Sequence, residues 1–232
     1  MDDPLLTARE LVRERFPAAQ AAFLAGSVLT ARRTPASDLD IVVLLEGPPA
    51  PYRENLLYRG WPVELFVQTE ASWHDFADQE TAKRESPLLA MCLEGTLLVD
   101  PNGLGASLRA EARRRWAEGP PALSDAERNY QRYILTDLLD DLRGCANPAE
   151  RVYLVSHMLQ RASELALLTG GHWLGGGKWL SRRLAEADPG LHRALTEGVT
   201  NAVAGQADDF AEAVAEVLNR AGGPLWDGYA IR

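Results

Sequence analysis

The chain has 232 residues, 46% of them apolar and 25% charged, enough for one large core or two modest ones. It carries no apolar run near the roughly 20 residues of a bilayer-spanning helix; the longest strongly apolar stretch, Ile41 to Leu45, stops at Glu46. A formal charge of −9 and a pI near 5.0 make nucleic acid a poor partner, because affinity for a phosphate backbone comes from Lys and Arg.

The acid excess sits in the first part of the chain: residues 1–105 have 9 basic and 16 acidic side chains, residues 106–232 have 15 and 17. Met1-Asp2-Asp3-Pro4 opens without a basic region followed by an apolar one, so a cytoplasmic protein is expected. Cys92 and Cys145 match neither a disulfide framework nor zinc spacing and read as reduced core residues. The four histidines show no ligand spacing, so any metal is expected to be held by oxygen.

Leu5 to Phe16 places apolar residues at helical spacing with Arg and Glu between them, predicting an amphipathic opening helix. Strands are predicted at Ala21–Ala25, Leu39–Leu45, Val63–Val67 and Thr96–Val99, the second and third as central strands. Pro48-Pro49-Ala50-Pro51 reads as a stiff surface connection, and a helix is predicted over Ser72–Arg84 with Ser72 as its N-cap. Past Asp100-Pro101-Asn102-Gly103 only helical spacing remains. The predicted fold class is therefore α+β: a mixed-sheet domain over residues 1–105, then an all-α bundle over 106–232. In that bundle Ser124-Asp125-Ala126-Glu127 is a capping box opening a helix to about Arg143. Asn147-Pro148 opens another that stops at Gly170-Gly171, and two or three more fill Lys178 to Ala221.

One spacing carries chemistry: Gly26-Ser27, then ten residues, then Asp38-Leu39-Asp40, with Glu64 inside the later strand. Strand residues i and i+2 face the same way about 7 Å apart, so Asp38 and Asp40 can close on one cation while Leu39 packs behind them. Glu64 would supply a third oxygen, giving a hard acidic site suited to Mg²⁺ that leaves positions for water and triphosphate oxygens. Gly26-Ser27 lies where a strand ends and a helix is expected to begin. Backbone N–H groups there, with the Ser27 hydroxyl, suit a phosphate, and Arg32 or Arg33 is placed to pair with it. A metal clamp beside a phosphate corner suits in-line attack on a nucleoside triphosphate, giving a nucleotidylated acceptor and pyrophosphate.

Ala25-Gly26-Ser27, Ser37-Asp38-Leu39-Asp40-Ile41 and Val63-Glu64-Leu65 resemble the motifs of the DNA polymerase beta-type nucleotidyltransferase superfamily, over roughly residues 20–70. The layout of one such domain before a helical bundle is similar to the small antibiotic and minimal nucleotidyltransferases. The resemblance implies Mg²⁺ and ATP or another NTP as cofactors. It also implies Asp38, Asp40 and Glu64 as metal and catalytic residues, and Gly26, Ser27, Arg33 and Ser37 on the nucleotide. Lys178 of the bundle is expected to reach the triphosphate across an interdomain cleft. The helix after Gly-Ser often carries an Arg-Gly pair in that superfamily; here the chain reads Ala31-Arg32-Arg33-Thr34.

Each assignment has a plainer competitor. The competing readings are a turn-capping role for Asp38 and Asp40, a water-facing sheet-edge position for Glu64 and an exposed surface position for Lys178. Lys178 after Gly175-Gly176-Gly177 is not a P-loop, because His172 and Trp179 occupy positions that need glycine and Ser or Thr. Asp137 and Asp141, at i and i+4, are either a patch for a cationic acceptor or a solvated face; Glu164 is either a base or a paired surface glutamate. Three functions stay open. The first is transfer of NMP, AMP first among them, to a hydroxyl of a small acceptor such as an aminoglycoside-like antibiotic. The second is modification of a protein partner, as by a toxin of a toxin–antitoxin pair, and the third is nucleotide binding without turnover.

Overall fold

In the computed structural model, which describes residues 3–230, the Asp3 carboxylate accepts from the Leu6 amide at 2.9 Å and Pro4 takes the first helical position, opening α1 (Pro4–Arg15). Five strands follow in one sheet: β1 (Ala21–Ala25), β2 (Leu39–Leu44), β3 (Tyr52–Tyr58), β4 (Trp61–Gln68) and β5 (Thr96–Val99). Their spatial order is β3-β4-β2-β1-β5. Only β2 and β4 run parallel; β1 pairs antiparallel with both β2 and β5, and β3 with β4.

Alternation along the strands sorts the side chains onto two faces. Leu39, Ile41 and Val43 of β2 and Trp61, Val63, Leu65 and Val67 of β4 form one core with Ala8, Leu11 and Val12 of α1. The intervening residues, Asp40 and Glu64 among them, turn to the other face. Helices α2 (Glu70–Ala82), α3 (Pro87–Glu94) and α4 (Leu104–Glu118) pack there: the Arg109 guanidinium of α4 lies 5.3 Å from the Phe23 ring and donates to the carbonyls of Cys92 and Gly95.

The predicted strands at residues 21–25 and 96–99 form over those residues, β2 stops one residue earlier, and β4 extends at both ends. Strand β3 and helix α3 add to the sequence reading. The N-cap of α2 is Thr69 and not Ser72: Thr69 Oγ1 accepts from the Ser72 amide at 3.0 Å, and Ser72 Oγ accepts from the Thr69 amide at 2.8 Å.

Two compact units divide between Gly119 and Pro120, so the expected boundary at residue 105 moves past α4. That helix joins the first unit because it buries Leu108 and Ala112 and commits Arg109 to α3. The second unit holds α5 (Asp125–Gly144), α6 (Pro148–Thr169), α7 (Lys178–Ala187), α8 (Pro189–Val203) and α9 (Asp208–Arg220). The Ser124–Glu127 capping box and the Asn147 cap form as the sequence predicts. Its own core gathers Leu135, Leu139, Met158, Leu165, Leu195 and Phe210, among others. Among the described residues no helix is long and apolar enough to cross a membrane.

Candidate functional site

The parallel register sets Asp40 of β2 beside Glu64 of β4, and the antiparallel one sets Ala25 of β1 on Asp40's other side. Asp38 precedes β2 by one residue and joins them. One carboxylate oxygen from each of Asp38, Asp40 and Glu64 lies within 4.8 Å of the others, and all three residues are half-buried. Glu64 does not face water at a sheet edge, because β4 is flanked by β3 and β2.

Gly26 follows Ala25 directly and holds φ at +92°, a conformation open to glycine. A Cβ built there would overlap Asp40 Oδ2 and lie 3.2 Å from Asp40 Cγ. The atom that approaches this glycine most closely is a carboxylate oxygen of its own chain. The expected helix after Gly26 is one 3₁₀ turn, Ser27–Leu29. The macrodipole of a long helix is therefore absent from the corner, leaving the opening amides, which have no partner inside such a turn. Ser27 Oγ lies 2.9 Å from Ser37 Oγ, and Ser37 Oγ accepts from the Thr34 amide at 3.0 Å. Buried Ser37 thus ties the turn to the loop that delivers Asp38.

The sequence motifs and this geometry fall on the same stretch of chain that a family model matches: residues 5–85 correspond to the nucleotidyltransferase domain. This segment is a nucleotidyltransferase domain. No curated protein matches the chain. Among solved structures, a nucleotidyltransferase-like protein from Exiguobacterium sibiricum is similar over 93% of this chain and 79% of that one, at 15% identity and a TM-score of 0.42.

The three carboxylates of the nucleotidyltransferase domain form an all-oxygen donor set of the kind that hard divalent cations take. Arg53 of β3, which the sequence did not single out, donates to Glu64 Oε1 through Nε at 2.6 Å and also through Nη2. Its guanidinium stacks 4.8 Å from the Phe66 ring. Arg33 lies over the ring of Trp61 at 5.0 Å, and Trp61 belongs to the core on the α1 side of the sheet. The remaining expected site residues belong to the second unit. Lys178 is exposed at the first position of α7; on α5, Asp137 is half-buried and Asp141 exposed; Glu164 on α6 accepts from Gln160 Nε2 at 2.8 Å.

Proposed function

We propose that the domain binds a nucleoside triphosphate, ATP first among them, with Mg²⁺, and transfers its nucleoside monophosphate to a hydroxyl of a small-molecule acceptor. The observation that supports this most directly is the convergence of Asp38, Asp40 and Glu64 beside a turn whose glycine is shaped by one of them. Asp38, Asp40 and Glu64 would hold the cation, and the amides and hydroxyl at Gly26-Ser27 would receive phosphate oxygens. When bound, Mg²⁺ supplies neutralisation of the charge that develops on the phosphates.

The acceptor oxygen forms a bond to the α-phosphorus as the bond to the bridging oxygen of pyrophosphate breaks. The acceptor's proton passes to a cluster carboxylate, with Glu64 assigned that part. Lys178 and Arg33 are further candidates for the triphosphate. Asp137, Asp141 and Glu164 are candidates for the acceptor.

The test incubates the protein with labelled ATP, GTP, CTP or UTP, Mg²⁺ and a cell extract, and identifies what becomes labelled. A labelled small molecule, released pyrophosphate and loss of both in Asp40→Asn are the expected results. Label confined to protein moves the acceptor to a protein partner. Transfer that Asp40→Asn leaves intact overturns the metal assignment, and the absence of any pyrophosphate release with every nucleotide overturns the transferase reading.

A further inference from the structure

Beside the carboxylate cluster, on the same face of the sheet, a pocket of about 280 Å³ opens between β4, the start of β3, α2 and α3. Phe66, Phe76, Leu88, Met91 and Pro51 give it an apolar wall. Its polar groups are mostly committed. Arg53 is paired with Glu64, Gln68 Oε1 accepts from Ser72 Oγ at 2.6 Å, and the ring of Tyr52 packs against the core on the opposite face. The exception is Glu80. Its Oε2 accepts from the Leu88 amide at 2.9 Å, and among the described residues it forms no ion pair. Burial pushes its carboxyl up to about 7, and the nearest charges, Glu85 and Lys83, act on it in opposite senses. The pocket's one lining cation, Arg53, is committed to Glu64, so an apolar cavity whose remaining charge is the Glu80 carboxyl favours a ligand that brings a cation to it.

Phe66 and Glu64 are two residues apart on one face of β4, and Arg53, which lines the pocket, touches both, so the pocket and the cluster are neighbours along the strand with Arg53 between them.

We propose that this pocket receives the acceptor, and that the acceptor is a small apolar amino alcohol. Its hydrocarbon or ring packs on Phe66, Phe76 and Met91, its ammonium pairs with Glu80, and its hydroxyl lies toward Glu64. The assignment as acceptor rests on the transferase reading, whereas the binding chemistry of the pocket does not. A polyhydroxylated aminoglycoside is a poor match for the same wall, because most of its polar groups would lose water without gaining partners.

The chain's methionines are Met1, Met91 and Met158, and Met158 is fully buried in the core of the second unit. Methyl-labelled methionine therefore gives a reporter in the pocket and a control outside it. The probes are 2-phenylethylamine, its neutral counterpart 2-phenylethanol, and adenosine, each titrated without nucleotide up to about 10 mM, where ligands of this size bind. The expected result is a shift of the Met91 methyl with Met158 unmoved, and an amine at least tenfold tighter than the alcohol. Glu80→Gln should reduce the amine to the level of the alcohol while leaving Mg²⁺ binding unchanged, and Phe76→Ala should weaken both probes. Equal binding of amine and alcohol, retention of the preference in Glu80→Gln, or tighter adenosine binding at Met91 overturns the proposal.

Transfer is then read with 2-amino-1-phenylethanol and labelled ATP. Amine binding without a labelled product there, while another acceptor is labelled, overturns the acceptor assignment alone. Absence of transfer to every acceptor sinks the transferase reading and leaves the amine site standing.

Discussion

Gly26 is under two constraints at once, a positive φ and the carboxylate of Asp40 in the place its Cβ would take. Gly60 provides the comparison: it has φ +82°, but a Cβ there meets nothing within 4 Å. Gly60→Ala should cost about 1 kcal/mol of stability in a thermal melt and leave cation binding alone. Gly26→Ala should also displace Asp40 and weaken Mg²⁺ binding at least about tenfold, as calorimetry would show, with the far-ultraviolet spectrum retained. Arg53 is a cation held on a carboxylate that a metal would need. Arg53→Ala should therefore bind Mg²⁺ about three- to tenfold tighter, since a half-exposed pair of this kind amounts to about 1 kcal/mol. Weaker binding in that variant would instead make Glu64 dependent on Arg53 for its position. The Asp38 and Asp40 pair was legible from its spacing because strand alternation is a local rule, whereas Glu64 came from the motif resemblance, its place beside Asp40 being set by the β2–β4 register. Arg53 was not legible, because its pairing with Glu64 depends on the register of a neighbouring strand.

At the scale of elements, the capped helices and apolar strands were the legible ones. Ser124 and Asn147 announce α5 and α6 by side-chain chemistry that acts within three residues. Strand β3 hides because it lies at the edge of the sheet and alternates only between half-buried and exposed, with Arg53, Glu54 and Asn55 in its middle. A signal was present in Arg59-Gly60, where two successive positive φ values close the tight hairpin between Tyr58 and Trp61. Helix α3 follows the turn after α2, and its start is tied down by Glu80 through the Leu88 amide.

Burial of the Glu80 carboxyl makes the α2–α3 corner pH-dependent, outweighing the Leu88 amide, which favours the charged form. Glu80 has a folded-state pKa of about 7 against an ordinary 4.5, so between these values the folded chain binds more protons than the unfolded one and stability falls as pH rises. The loss begins near pH 4.5, is complete above pH 7, and amounts to about 2 kcal/mol once solvent screening is allowed for. Glu80→Gln should flatten that part of a denaturation series run from pH 4.5 to 8. A slope that survives the substitution would place the titration elsewhere.

For the whole molecule, the two units each carry a separate core, one built on Leu11, Ile41 and Leu65, the other on Leu135, Met158 and Phe210. The early boundary suggested by the Pro-Asn-Gly turn at residues 101–103 failed because a turn marks the end of a strand, not the end of a core. The next helix still has Leu108 and Ala112 to bury. The division at Gly119 puts the whole carboxylate cluster, the Gly26 turn, Arg53 and the amine pocket in one unit, and Lys178, Asp137, Asp141 and Glu164 in the other. A fragment of residues 1–119 should therefore fold with mixed helix and strand signals and bind Mg²⁺ within about twofold of the full chain, because the three carboxylates proposed to hold it and the residues shaping them are present. A fragment ended at residue 105 should fail to do so: without α4 it exposes the Phe23 side of the sheet and leaves the carbonyls of Cys92 and Gly95 without the Arg109 donor. If the 1–119 fragment folds and binds Mg²⁺ but transfers no nucleotide to the acceptor of the full chain, the second unit supplies a residue the reaction needs, and Lys178→Ala in the full chain should reproduce that loss. If the fragment transfers as well as the full chain, the expected parts for Lys178, Asp137, Asp141 and Glu164 fall together.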